Sequence, residues 1–109
     1  MALRVADCAR SAAFYSGLLG LAELRHRDDG SAVWLQAGEV ILMLERELRG
    51  HGQGSGSGHL LALEVDDLPS WERRLAEARV VVVDRTPSTL YVQDPDGHRV
   101  GLTVFPRSA

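Results

Sequence analysis

The chain has 109 residues, 45% of them hydrophobic and 25% charged, enough for one compact domain and too ordinary in composition for a disordered chain or a disulfide scaffold. Its 12 basic residues are all arginine, are scattered, and stand against 15 acidic ones for a net charge of -3, which disfavours nucleic acid, because phosphates need a concentrated basic face. No apolar run approaches the ~18 residues of a membrane span, the first residues lack a signal-peptide pattern, and the single cysteine, Cys8, suits a reducing compartment; a cytoplasmic location is expected.

Ala2 to Ala6 reads as a short strand that ends at Asp7, whose carboxylate can accept from the free amides of a following helix. Ala9, Ala12, Ala13, Tyr15, Leu18 and Leu19 recur at helical spacing and predict a helix running to about Leu19, where Gly20 stops it. Three strands follow at Ala22 to Arg27, Ala32 to Gln36 and Val40 to Glu45, separated by the turns Asp28-Asp29-Gly30 and Ala37-Gly38. The segment Arg49 to Gly58 is too rich in glycine for regular structure and reads as a flexible linker. A phosphate-cradling loop is the sharper alternative, but the lysine-plus-hydroxyl and the strand-to-helix setting that such a loop needs do not surround it.

Beyond the linker the same order recurs. Leu61 to Val65 is a strand, Asp66 to Ser70 a helix start with Pro69 in its first turn, and Trp71 to Arg79 a helix; strands then fit Val80 to Asp84, Leu90 to Gln93 and Arg99 to Phe105. Leu3-Arg4-Val5-Ala6-Asp7 lines up with Leu63-Glu64-Val65-Asp66-Asp67, and Val33-Trp34-Leu35-Gln36 with Leu90-Tyr91-Val92-Gln93. An internal β-α-β-β-β duplication is the economical explanation, with module 1 at about 1–48, the linker at 49–58 and module 2 at 59–109.

Two signatures sit on this plan: Val5-x-Asp7-x-x-x-Ser11-x-x-Phe14-Tyr15-x-x-x-Leu19-Gly20-Leu21 in the first half, and Val65-x-Asp67 with Asp94-Pro95-Asp96-Gly97-His98-Arg99-Val100 in the second. In the latter, Pro95 presets φ for a tight turn and Gly97 is free to take positive φ. Together they resemble the vicinal oxygen chelate superfamily, which includes glyoxalase I, type I extradiol dioxygenases, and fosfomycin and bleomycin resistance proteins. The resemblance implies an α+β fold of two βαβββ modules forming a U-shaped mixed sheet, a site on its concave face, and a homodimer in which the linker would permit exchange of halves.

By strand parity, Leu3, Val5, Ile41, Met43, Leu61, Leu63, Val65, Val100, Leu102 and Val104 are expected to face the helices. The concave face is then lined by Ala2, Arg4, Trp34, Gln36, Val40, Leu42, Leu44, Leu60, Ala62, Glu64, Tyr91, Gln93, Arg99, Gly101 and Thr103. Metal-dependent relatives place His, Gln or Glu ligands at four positions, which the resemblance carries to just ahead of Met1, Leu42, Leu60 and Gly101. Leucine and glycine side chains donate no electron pairs, so no metal or other cofactor is expected. His59 is one residue from the third position, and a one-residue shift reverses its face; it reads as a linker-end histidine with a lone ligand as the alternative. His26, His51 and His98 read as surface residues.

Arg4 and Glu64 occupy equivalent places in the two modules and read as an ion pair, the alternative being a general base with an oxyanion-stabilising arginine. What remains is apolar surface with two aromatics. Trp34 and Tyr91 suit stacking on a flat ligand, with Gln36, Gln93, Thr103 or Arg99 orienting it; packing between strands or across a dimer interface suits them equally. The expected function is metal-independent binding of an aromatic or antibiotic-like small molecule, by sequestration. The alternative is an enzyme of the same superfamily, a lyase, isomerase, dioxygenase or natural-product biosynthesis enzyme.

Overall fold

The structure is a computed structural model and describes residues 1–46 and 60–104, with the backbone alone for Leu60. The expected linker, His51 and His59 lie outside the described residues. The chain divides into two compact units, Met1–Ser57 and Gly58–Ala109, each a β-α-β-β-β module with a four-stranded mixed sheet.

In the first unit β1 (Ala2–Arg4) leads into α1 (Cys8–Ala12). Asp7 is the N-cap, and its carboxylate accepts the Arg10 N–H at 3.1 Å. The expected α-helix to Leu19 gives way after one turn and a half to a π-helical segment, Ala13–Leu18. The Leu19 N–H reaches back to the Phe14 carbonyl at 3.0 Å. Successive α-helical residues point about 100° apart, so a regular helix would turn one of two adjacent rings away from the core; the widened turn buries both Phe14 and Tyr15, packed edge to face at 5.1 Å. Gly20 closes the segment at φ 82°.

β2 (Ala22–His26), β3 (Ala32–Ala37) and β4 (Val40–Glu45) complete the sheet in the order β1-β4-β3-β2, with β1 and β4 parallel. The registers Leu3↔Leu44, Val33↔Leu44 and Leu35↔Leu42 put these five side chains on one face. All five are buried, and α1 packs against β3 and β4. This corrects the expected parity of β4: Leu42 and Leu44 belong to the core, while Ile41 and Met43 share the opposite face with Gln36 and Trp34. Both parities of β4 are apolar, so alternation could not choose between them; pairing with β1 does.

The second unit repeats the plan with β5 (Leu60–Glu64), α2 (Leu68–Glu77), β6 (Asp84–Arg85), β7 (Thr89–Gln93) and β8 (Arg99–Thr103), ordered β5-β8-β7-β6. Asp67 caps α2, accepting from the Ser70 backbone N–H at 2.8 Å and its hydroxyl at 2.9 Å. These bonds hold the exposed carboxyl below its usual range, the backbone bond first. Leu75 is the fully buried residue of α2. The helix stops at Glu77, two residues short of expectation, because Arg79 turns left-handed at φ 60° while the Val80 N–H returns to the Leu75 carbonyl at 2.8 Å. The strand expected over Val80 to Asp84 is reduced to β6: pairing with β7 begins only at Asp84↔Tyr91, and Val81 is largely exposed.

The registers Leu61↔Val100↔Val92 and Leu63↔Leu102↔Leu90 form the apolar face of this sheet. Ala62, Glu64, Tyr91, Gln93, Arg99, Gly101 and Thr103 take the other face, as their parity requires.

Candidate functional site: the Trp34 face of the first sheet

In a paired sheet, residues in register share a face, and neighbouring strands lie about 4.8 Å apart. Two rows therefore build the face of the first sheet opposite its apolar core face. One runs Arg25, Trp34, Met43, Ala2, and the next Arg27, Ala32, Glu45, Arg4. The second row places the smallest side chain between an arginine and a glutamate. The Arg27 end is fixed by its backbone N–H, which donates to the Ala32 carbonyl at 2.9 Å.

A β-bulge decides which β2 side chains join these rows. Glu23 pairs with Leu35, but the next pair is Arg25 with Trp34, so two residues of β2 oppose one of β3. Unbulged pairing would set Leu24 across from Trp34. With the bulge, the Arg25 guanidinium lies over the Trp34 ring, 5.4 Å from its centroid. On the other flank the indole N–H donates to Glu45 Oε2 at 3.3 Å. Trp34 is thus held by a cation on one strand and an anion on another.

The result is a pocket of about 410 Å³ lined by Arg25, His26, Arg27, Ala32, Trp34 and Glu45, within the size range of small-molecule sites. His26 is exposed and its Nδ1 is 2.8 Å from Glu23 Oε2. Of the residues proposed from the sequence as ligand contacts, Trp34 alone is among these six. Gln36 is turned to the β-turn, its side-chain amide donating to the Gly38 carbonyl. Leu42 and Leu44 are on the core face and fully buried. The five other lining residues escaped sequence reasoning: Arg25, His26 and Arg27 follow from the register of β2, which the bulge hides, and Ala32 and Glu45 from the pairing of β3 with β4.

The second unit treats its equivalent aromatic differently. Tyr91 lies across Gly101, where an added Cβ would come within 3.3 Å of the ring. The Arg99 guanidinium covers it at 5.0 Å from the centroid and is tied to Asp84 at 3.2 Å. Thr103 accepts from the Thr89 hydroxyl at 2.9 Å and donates to the Ser88 carbonyl at 3.2 Å, so its hydroxyl is engaged in the sheet. Arg4 and Glu64 are both exposed and belong to different units. His98, expected at the surface, is buried in the Asp94 turn, where its N–H donates to Asp94 Oδ1 at 2.8 Å. Cys8 is buried, with its thiol 3.6 Å from the Leu44 carbonyl, and burial pushes its pKa up; it is no nucleophile.

A metal centre does not fit these residues. Among the described residues no group of three or more His, Cys, Asp or Glu side chains is placed to hold an ion. Leu42 points into the core, and Gly101 has no donor and lies under Tyr91. On the exposed face of β4 the oxygen donor is Glu45, already bonded to the indole.

Fold and pocket together define a two-module βαβββ protein with a pocket on its first sheet. Residues 1–102 match the family described as the Glyoxalase/Bleomycin resistance protein/Dioxygenase superfamily, and the chain belongs to it. Among solved structures it is similar to TnmS3, an antibiotic binding protein from Streptomyces sp. CB03234, at 26% identity over 94% of this chain and 90% of that one, with a TM-score of 0.72. It shares its fold with lactoylglutathione lyase from Agrobacterium tumefaciens at 22% identity, 94% and 89% coverage and a TM-score of 0.72. It does so too with the fosfomycin resistance protein FosX from Mesorhizobium loti, at 17% identity, 99% and 90% coverage and a TM-score of 0.76. No curated protein matches the sequence.

Proposed function

We propose that the protein binds a flat, partly apolar small molecule against Trp34, without a metal ion and without converting it, and so sequesters it. The observation that carries this reading is the Trp34 pocket: an aromatic wall fixed from two sides, a small-residue floor and charged groups at the rim. The donor set argues against metal dependence, and the antibiotic-binding relative TnmS3 supports binding. Self-association into a homodimer, swapped or unswapped, and a cytoplasmic location are parts of this proposal; no helix among the described residues is long and apolar enough to cross a membrane.

A thermal-shift screen of aromatic natural products in the presence of EDTA tests it. A binding compound is expected to raise the melting temperature, and Trp34→Ala to remove most of that rise; a rise unchanged by the substitution would take Trp34 out of the site. One feature favours a second reading, an enzyme of the superfamily: Glu45 puts a carboxylate on the pocket wall, where a general base would stand. Mass spectrometry of the recovered ligand separates the two, since sequestration returns it unchanged.

A further inference from the structure

We infer that the Trp34 pocket selects planar aromatic monoanions, held with the anionic group toward β2; this rests on the ligand-binding reading above and deepens it. The whole chain carries a net charge of -3, which taken alone favours a cationic ligand. The charged arginine and carboxylate side chains that line the pocket have the opposite balance, with Glu23 and Asp28 flanking His26 at its edge. Two arginines, Arg25 and Arg27, stand on its β2 side, and one carboxylate, Glu45, on its β4 side.

These charges are not equally committed. Glu45 is bonded to the indole N–H. The Arg25 guanidinium carbon lies 5.4 Å from the Trp34 centroid, a cation–π contact that leaves its N–H donors available to an oxyanion. Among the described residues no carboxylate lies within ion-pair distance of Arg27, whose charge acts at longer range on Asp29, a carboxyl held low first by its hydrogen bonds from Ser31 and then by Arg27 and Arg46. The two arginine side chains belong to adjacent rows of the same face, on either side of His26. Their forks can therefore converge on one carboxylate or sulfonate.

The floor sets the shape of the rest. Ala32 separates Arg27 from Glu45, one strand spacing on each side, and is itself buried at the bottom of the notch between them. The Trp34 ring rises beside it in the next row. An aromatic ring laid over Ala32 against Trp34 would direct one end to the arginines and the other to Glu45. A second anion at the far end would meet Glu45, so a monoanion is favoured over a dianion.

The test titrates ¹⁵N-labelled protein with 2-naphthoate, 2-naphthamide and 2,6-naphthalenedicarboxylate, following the indole N–H signals. The chain has two tryptophans, and Trp71→Phe assigns them. The Trp34 signal is expected to move with 2-naphthoate at an affinity about tenfold above that for the amide and the dianion. Arg27→Gln should bring acid and amide to within about threefold of each other, Ala32→Leu should abolish the response to all probes, and Arg73→Gln, on α2, should change nothing. Equal affinity for acid and amide in the unaltered protein would overturn the anion selection while leaving the pocket in place. An effect of Arg73→Gln as large as that of Arg27→Gln would overturn it too, assigning the preference to the general field. A Trp34 signal unmoved by every probe would overturn the pocket reading itself.

Discussion

Single residues carry much of this structure through hydrogen bonds that their spacing makes available. Asp7 and Asp67 stand at equivalent points of the two modules, and each accepts the backbone N–H three residues on. Asp67 adds the Ser70 hydroxyl, and its carboxyl is held below the ordinary range by those bonds. A carboxyl whose folded pKa is lowered stabilises the fold above its unfolded pKa and loses that contribution as pH falls through the folded one. Asp67→Ala is therefore expected to lower the melting temperature at neutral pH, with the difference shrinking as the solution is acidified below the carboxylate range; a difference that grew on acidification would contradict the assignment. The caps were legible in the sequence because Asp followed by an apolar-periodic run is a local signal. The burial of His98 was not legible: its place depends on the Asp94 turn folding over it, and an Asp-Pro-Asp-Gly sequence announces the turn without saying which side chain is enclosed.

At the scale of elements, the decisive facts are registers. The sequence showed the strands of both units but could not orient β4, whose residues Val40 to Leu44 are apolar at every position. Only the pairing Leu3↔Leu44 sends Leu42 and Leu44 to the core. Leu42→Ala is accordingly expected to cost about 2–5 kcal/mol in denaturant unfolding, as for other fully buried leucines, and Ile41→Ala, at 41% exposure, about 1 kcal/mol or less. The reverse order would restore the original parity. In the second unit β7 alternates and β8 carries a glycine, and their registers with each other and with β5 set the faces that parity requires. The bulge in β2 is the other element that the sequence concealed. It costs one unpaired residue and turns Arg25 onto the Trp34 ring. The π-helical segment was equally hidden, because Phe14 and Tyr15 fit a helical stripe only approximately and the chain resolves the conflict by widening the turn.

Across the whole molecule the duplication is plain in the sequence and in the strand order of both sheets, yet the two modules use their equivalent aromatics in different ways. Tyr91 lies down over Gly101 under an arginine that is itself tied to Asp84, whereas Trp34 is braced from the sides and borders a pocket that reaches Ala32. The aromatic of the first module thus borders a pocket, and that of the second packs on a glycine beneath a tied arginine. The same comparison accounts for what the sequence did and did not reveal of the site: Trp34 stood out as an aromatic at a polar parity, while Ala32 and Glu45 gained meaning only as neighbours in one row. Calorimetric titration with 2-naphthoate decides whether the site at that row works without a metal ion: one affinity is expected for EDTA-treated and divalent-supplemented protein, with no binding to Ala32→Leu, whereas binding that requires the metal, or that survives filling the notch, would overturn it.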